Sequence, residues 1–324
     1  MKRGAVWLAL LTLGVQIVPS PPAASHEQEG ADDVALAARL YDQAEGYRTQ
    51  GRYAEAETLY QRARSIFETQ LGPEHHSLAA CLNNLGETYR AQGRYGEAEP
   101  LYQRALAIEE KAKGREHPDV ALTLHNLAEL YKARGAYNQA EPLYVRALVI
   151  SQKSFGEEHP SVALNLNGLA TLYHARGLYV NAELYYQRAL TIWEKTLGPV
   201  DPSLGATLSN LGALYRRQKR YAEAEPLFQR ALVIDEKALG ANHPDLAIDL
   251  NNLAMLYSTR GRYEQAEPLY QRSIAITEQA LGPDHPALAT TLENYANLLG
   301  NMKRRPEARA MRARAKAIRR RSPP

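Results

Sequence analysis

At 324 residues, with 45% hydrophobic and 23% charged residues, the chain has the composition of a soluble, folded protein. Its single cysteine, Cys81, excludes an intramolecular disulfide framework and any CxxC metal or redox motif. The net charge of +3 is uneven: ten basic residues and one acid follow from Lys303 to the end, which leaves −6 on everything before it.

Lys2 and Arg3 open the chain, an uncharged apolar run spans Ala5 to Val18, and Pro19 to Ser25 supplies small residues suited to cleavage after Ser25. Such a run is short of the ~20 residues a membrane span needs. Residues 1–25 are therefore expected to be a cleaved signal peptide for periplasmic or extracellular export, with an uncleaved anchor as the alternative. Residues 26–36 are expected to be a linker.

From residue 37 the sequence repeats itself. Gly72, Gly114, Gly156, Gly198, Gly240 and Gly282 are each 42 residues apart, as are Tyr53, Tyr95, Tyr137, Tyr179, Tyr221 and Tyr263. His117-Pro118, His159-Pro160, His243-Pro244 and His285-Pro286 fall on the same grid, with His75-His76 and Asp201-Pro202 as variants. Within a period, Leu82, Leu85, Gly86 and Tyr89 mark one stripe of a first helix, and Gly93 ends it. Ala98, Leu101, Tyr102, Ala105 and Ile108 mark a second helix, after which Pro can open the next first helix. The position of Ala98 is Ala in all seven copies, and that of Gly86 is always Gly or Ala, small enough for two helices to meet closely. The end copies are atypical: Gln43 replaces a Leu in the first, and Lys303 and Arg305 replace the Gly and Tyr in the last.

The run Leu82-x2-Leu85-Gly86-x2-Tyr89 followed by Ala98-x3-Tyr102 resembles the tetratricopeptide repeat, and the 42-residue period with its LNNL, AEPLYxRAL and LGxxHP blocks resembles the kinesin-light-chain-like branch. The heptad region of a true kinesin light chain is absent, so no motor role is expected. The resemblance implies an all-α, right-handed superhelical solenoid of about seven helix-turn-helix repeats over residues 37–302, closed by a basic capping helix and tail at 303–324. It also implies a concave groove lined mostly by the first helices, where a partner's extended segment would lie.

On those first helices one row reads Asn84, Asn126, Gly168, Asn210, Asn252, Asn294, and its neighbour Asn83, His125, Asn167, Ser209, Asn251, Glu293. Asn is a mediocre helix former, so its return in mid-helix calls for a reason. Two readings stay open. Its amide, donor and acceptor at once, can grip a peptide backbone, or it can bond a neighbouring repeat. Glu45 with Arg48, Glu87 with Arg90 and Glu129 with Lys132 read as ordinary pairs three residues apart on a helix. Arg216 and Arg217 have Ala213 in place of the acid, and His174 precedes them by one repeat, which points to an acidic segment in the partner.

Nothing asks for catalysis: there is no nucleophile motif, no phosphate-cradling glycine loop and no HExxH. No metal or other cofactor is expected, because His residues a repeat apart cannot converge on one ion. A protein-binding scaffold is the expected function. The alternative is an envelope- or membrane-surface assembly factor using Arg312, Arg314, Lys316, Arg319, Arg320 and Arg321, with nucleic acid not expected as a partner.

Overall fold

The computed structural model describes residues 23–321. Of the expected signal segment, residues 1–25, residues 1–22 lie outside the described residues and the last three begin α1. Fourteen α-helices and no strands occur among them, as seven antiparallel pairs: α1 (Ala23–Thr49) with α2 (Tyr53–Gln70), α3 (His76–Ala91) with α4 (Tyr95–Lys113), α5 (Pro118–Ala133) with α6 (Tyr137–Phe155), and α7 (Pro160–Ala175) with α8 (Tyr179–Thr196). The series continues with α9 (Pro202–Arg217) and α10 (Tyr221–Leu239), α11 (Pro244–Thr259) and α12 (Tyr263–Leu281), and α13 (Pro286–Asn301) and α14 (Arg305–Arg321). Each helix packs on its sequence neighbours, and each first helix also touches the next first helix, which is the connectivity of a solenoid. Residues 26–36, expected as a linker, belong to α1 instead.

Helix boundaries follow from the repeated blocks. His75, His117, His159, Asp201, His243 and His285 each cap a first helix, the side chain accepting from the backbone N–H two residues on. Proline at the first helical position costs nothing there, because that N–H has no partner inside the helix. Gly114, Gly156, Gly240 and Gly282 end second helices at φ near +90°, a conformation closed to most other residues.

The close approach of paired helices explains the small-residue row. A Cβ at Gly86 would stand 2.9 Å from the Tyr102 ring, and one at Gly212 would stand 2.9 Å from the Phe228 ring. Tyr60, Tyr102, Tyr144 and Tyr186 fill the space beside the Ala row and are fully buried. Cys81 is buried as well, its thiol facing the Tyr60 carbonyl at 3.3 Å, and burial pushes its pKa up to about 12.

Candidate functional site

The first helices form one wall in which α3, α5, α7 and α9 contribute side by side. A hollow of about 410 Å³ there is lined by Glu87, Arg90, His125, Asn126, Glu129, Lys132, Leu164, Asn167, Thr171 and Asn210. A second hollow of about 400 Å³ shares Thr171 and Asn210 with it and continues to His174, Tyr186 and Arg217. Together they make a trough running from α3 to α9.

The asparagine rows divide between the two readings. Asn83 is only 5% exposed, and its Oδ1 accepts from Nδ2 of Asn126 at 3.2 Å. Asn294 donates to Oδ1 of Asn251 at 3.1 Å, and Thr207 donates to Oδ1 of Asn167 at 3.2 Å. Asn84 donates to Tyr41 at 2.8 Å and to Glu45 at 2.9 Å. These amides join consecutive repeats; for the buried Asn83 that corrects the expectation of a groove-facing side chain. Asn126 lines the first hollow while its Nδ2 is engaged by Asn83. Asn210 lines both hollows and, among the described residues, has no hydrogen bond to another side chain. Asn252 is half-buried beside Asn251. Gly168 breaks the row because Tyr144 leans into it, where a Cβ would stand 2.5 Å from the ring.

The charged positions are more than solvated pairs. Glu45 accepts from the Tyr60 hydroxyl at 2.7 Å, Glu87 from Tyr102 at 2.9 Å, and Glu129 from Tyr144, while Arg48, Arg90 and Lys132 bind the same carboxylates. Each acid thus ties a first helix to its second helix and neutralises the base beside it. The Arg48 hydrogen bond holds the Glu45 carboxyl below the usual range. For Glu129 burial pushes the pKa up, but Lys132 and the Tyr144 hydroxyl outweigh it and the net shift is downward. Sequence reading missed this role of Tyr because the partner lies 15 residues away, on another helix.

From α7 onward the acid is missing. Thr171, Ala213 and Met255 stand at the glutamate position, and Phe228 replaces the tyrosine in the pair with Ala213. Tyr186 keeps its hydroxyl, buried and without a partner among the described residues, and Arg216 keeps a buried Nε in the same condition. Burial and then Arg217 lower the pKa of the Arg216 guanidinium; burial, then Arg217 and Arg216, lower that of His174. Arg217 itself is exposed. This end of the trough is therefore lined by His174 and Arg217, and among the described residues the Tyr186 hydroxyl and the Arg216 Nε have no acceptor.

One further row of the wall escaped the sequence reading. Leu122, Leu164 and Ile248 are 51%, 36% and 59% exposed, at equivalent positions of α5, α7 and α11. Leu164 forms the apolar side of the first hollow. The signal was present as aliphatic residues four places before the Asn row, but helical periodicity alone assigns such residues to a core.

Comparison with known proteins places these features. The tetratricopeptide repeat model matches residues 36–111, 82–148, 119–195, 203–279 and 250–321. None of the curated proteins matches. Among solved structures, a Podosopora anserina kinesin-light-chain candidate with nearly identical TPR-like repeats is 29% identical over 63% of this chain and 97% of its own, with a TM-score of 0.52. BtubC (BKLC) from P. vanneervenii is 25% identical over 78% of this chain and 92% of its own, with a TM-score of 0.56. Aspartyl phosphate phosphatase F from Bacillus subtilis, 15% identical over 91% of this chain and 73% of its own at a TM-score of 0.68, shares the fold alone.

Proposed function

Since this chain belongs to the tetratricopeptide repeat family, whose members are protein-interaction scaffolds and generally non-catalytic, we propose that it holds an extended, acidic segment of a partner protein in the trough from α3 to α9. The observation that carries the reading is the cationic end, where Arg217 and Asn210 line the hollow and, among the described residues, the buried Arg216 Nε and Tyr186 hydroxyl have no acceptor. Buried donors without acceptors cost about 1–3 kcal/mol each, and an incoming carboxylate removes that cost. Asn126 and Asn210 supply amides for the segment's backbone, and Leu164 supplies an apolar flank. The signal-like start, Lys2 to Ser25, supports placing the complex outside the cytoplasm.

The test is a selection of displayed random peptides on the full chain and on Arg216→Ala/Arg217→Ala. Peptides enriched in Asp and Glu on the parent, and lost on the variant, are expected. Equal capture by both proteins, or no acidic enrichment, overturns the reading. A second reading, attachment to an anionic membrane surface, rests on Arg305, Arg309, Arg312, Lys316 and Arg320, which form one stripe of α14 with no salt bridge among the described residues. Salt-sensitive binding to phosphatidylglycerol vesicles, lost on changing those five residues to Ser, is its expected outcome.

A further inference from the structure

Two rows of ion pairs join the repeats along their edges, each running from a base back to an acid of the preceding repeat. Every second helix up to α12 offers a forward glutamate in the row of Glu57, and the following repeat reaches back to it with arginine. Arg94 meets Glu57 at 2.6 Å, Arg220 meets Glu183 at 2.7 Å, Arg262 meets Glu225 at 2.6 Å and Arg304 meets Glu267 at 2.6 Å. Where that arginine is absent, at Ala136 and Leu178, Arg134 and Arg176 take its place. A second such row starts at Glu68: Arg104 meets it at 2.5 Å, Arg146 meets Glu110 at 2.6 Å, and Arg230 meets Glu194 at 2.6 Å. The forward glutamates also accept from tyrosines of the next first helix, Tyr131 on Glu99 at 2.8 Å and Tyr215 on Glu183 at 2.9 Å.

A third row lies inside the junctions, where Ser151 meets Asn165 at 3.1 Å and Asp235 presses on Gly205 and faces Asp249. On the backward side its members are Arg39, Cys81, Thr123, Asn165, Thr207, Asp249 and Thr291. The N-terminal end of the array therefore shows the whole backward set, and no helix precedes it among the described residues to receive it. Arg39 and Arg62 are exposed and unpaired among the described residues. Arg52 binds Glu55 through Nε and Nη2 and stacks on Tyr47 at 4.2 Å, and among the described residues its Nη1 has no partner. That Nη1 is the atom which crosses to the preceding glutamate in Arg94, Arg220, Arg262 and Arg304.

The other end of the array cannot serve as its complement. In α14, Arg309, Arg319 and Arg320 occupy the rows of Glu57, Phe67 and Glu68. A second copy stacked head to tail would set three arginines against three. Residues 1–22 contain no Asp or Glu, so they do not supply the missing carboxylates either.

We propose that the face carrying Arg39, Tyr47, Arg52 and Arg62 is a docking face for an acidic amphipathic helix of another protein, with carboxylates at positions i, i+10 and i+11. That spacing is the one α4 and α10 present to their successors, as Glu99, Glu109, Glu110 and Glu225, Asp235, Glu236. The inference is independent of the trough.

The test gives the full chain its own complement. Arg309→Glu, Arg319→Asp and Arg320→Glu are changes at exposed positions of α14 that recreate the α10 pattern. By light scattering after gel filtration the triple variant is expected to rise about twofold or more in mass with concentration, in a head-to-tail series. The parent is expected to stay at its 36.1 kDa, or at its processed mass. Adding Arg39→Glu, Arg52→Glu and Arg62→Glu to the triple variant returns it to that mass. Should the triple variant lose helical circular dichroism, Arg309→Glu/Arg320→Glu carries the same test. A folded variant that stays monomeric overturns the proposal, as does association that survives reversal of Arg39, Arg52 and Arg62. Association that appears only after residues 1–22 are removed also overturns it, because the face is then covered by the chain itself.

Discussion

The two halves of the concave wall are built on one repeat and behave differently. In α1, α3 and α5 a glutamate joins a base on its own helix to a tyrosine hydroxyl on the next, so charge and hydrogen bonding close within the wall. In α7, α9 and α11 the glutamate is gone and His174, Arg216 and Arg217 remain. Fold and backbone hardly notice the change. What differs is whether the polar groups are complete without a partner, and the incomplete half is where a ligand gains most.

That contrast can be broken in several ways. Reversing the cationic end with Arg216→Glu/Arg217→Glu is expected to weaken an acidic peptide by about 100-fold, on the scale of two charge-assisted hydrogen bonds, as read by calorimetry. Moving the paired design into the incomplete half, Ala213→Glu, gives Arg216 an internal acid. Affinity is then expected to fall about tenfold, with little change in melting temperature. The converse change, Glu129→Gln, leaves Lys132 and the Tyr144 hydroxyl without their carboxylate and is expected to cost about 1–3 kcal/mol in urea unfolding.

The junctions sharpen the same comparison. Between α6 and α7 the buried polar pair is complementary, Asn165 donating to Ser151. Between α10 and α11 the pair is Asp235 and Asp249, both buried, each with a carboxylate oxygen lacking a partner. Burial, and then Asp235 itself, push Asp249 up to about 8. Its folded pKa exceeds the unfolded value near 3.9, so this group's contribution to stability is full below that pH and is lost as pH rises toward about 8. Asp249→Asn is therefore expected to stabilise the protein at pH 7 by about 1–3 kcal/mol and to flatten that part of the pH profile. A parent curve that is level from pH 4 to pH 8 would falsify this assignment.

The smallest effect has the sharpest sign. Tyr102→Phe removes a hydroxyl bonded to Glu87 and is expected to destabilise by about 1 kcal/mol. Tyr186→Phe removes one that has no partner and is expected to be neutral or stabilising by a similar amount.

The architecture was legible because a period states it six times over: Gly72 to Gly282, Tyr53 to Tyr263 and the unbroken Ala98 row admit few other folds. The prolines that open first helices were legible for the same reason. The wall was harder. Reading down a row shows which residue type recurs, but whether an amide is free depends on a neighbour about 40 residues away, as Asn126 on Asn83 and Thr207 on Asn167 show. The acid pair at Asp235 and Asp249 was invisible, since each stands alone in its own helix pattern and the two meet only through packing. Gly168 looked like a lapse in the Asn row, and its cause, the Tyr144 ring, lies in the previous repeat.

Among the described residues each helix packs on its neighbours in the chain, and first helices touch the next first helix. Second helices are pinned to the preceding second helix by ion pairs, and among the described residues no strut joins distant repeats. Stiffness is then set junction by junction, and a small rotation at each of six junctions adds up along the rod. A stack joined only in this way is expected to bend as an elastic coil. The edge ion pairs act as its clips, so adding salt should soften it and lengthen its pitch without unfolding a single helix.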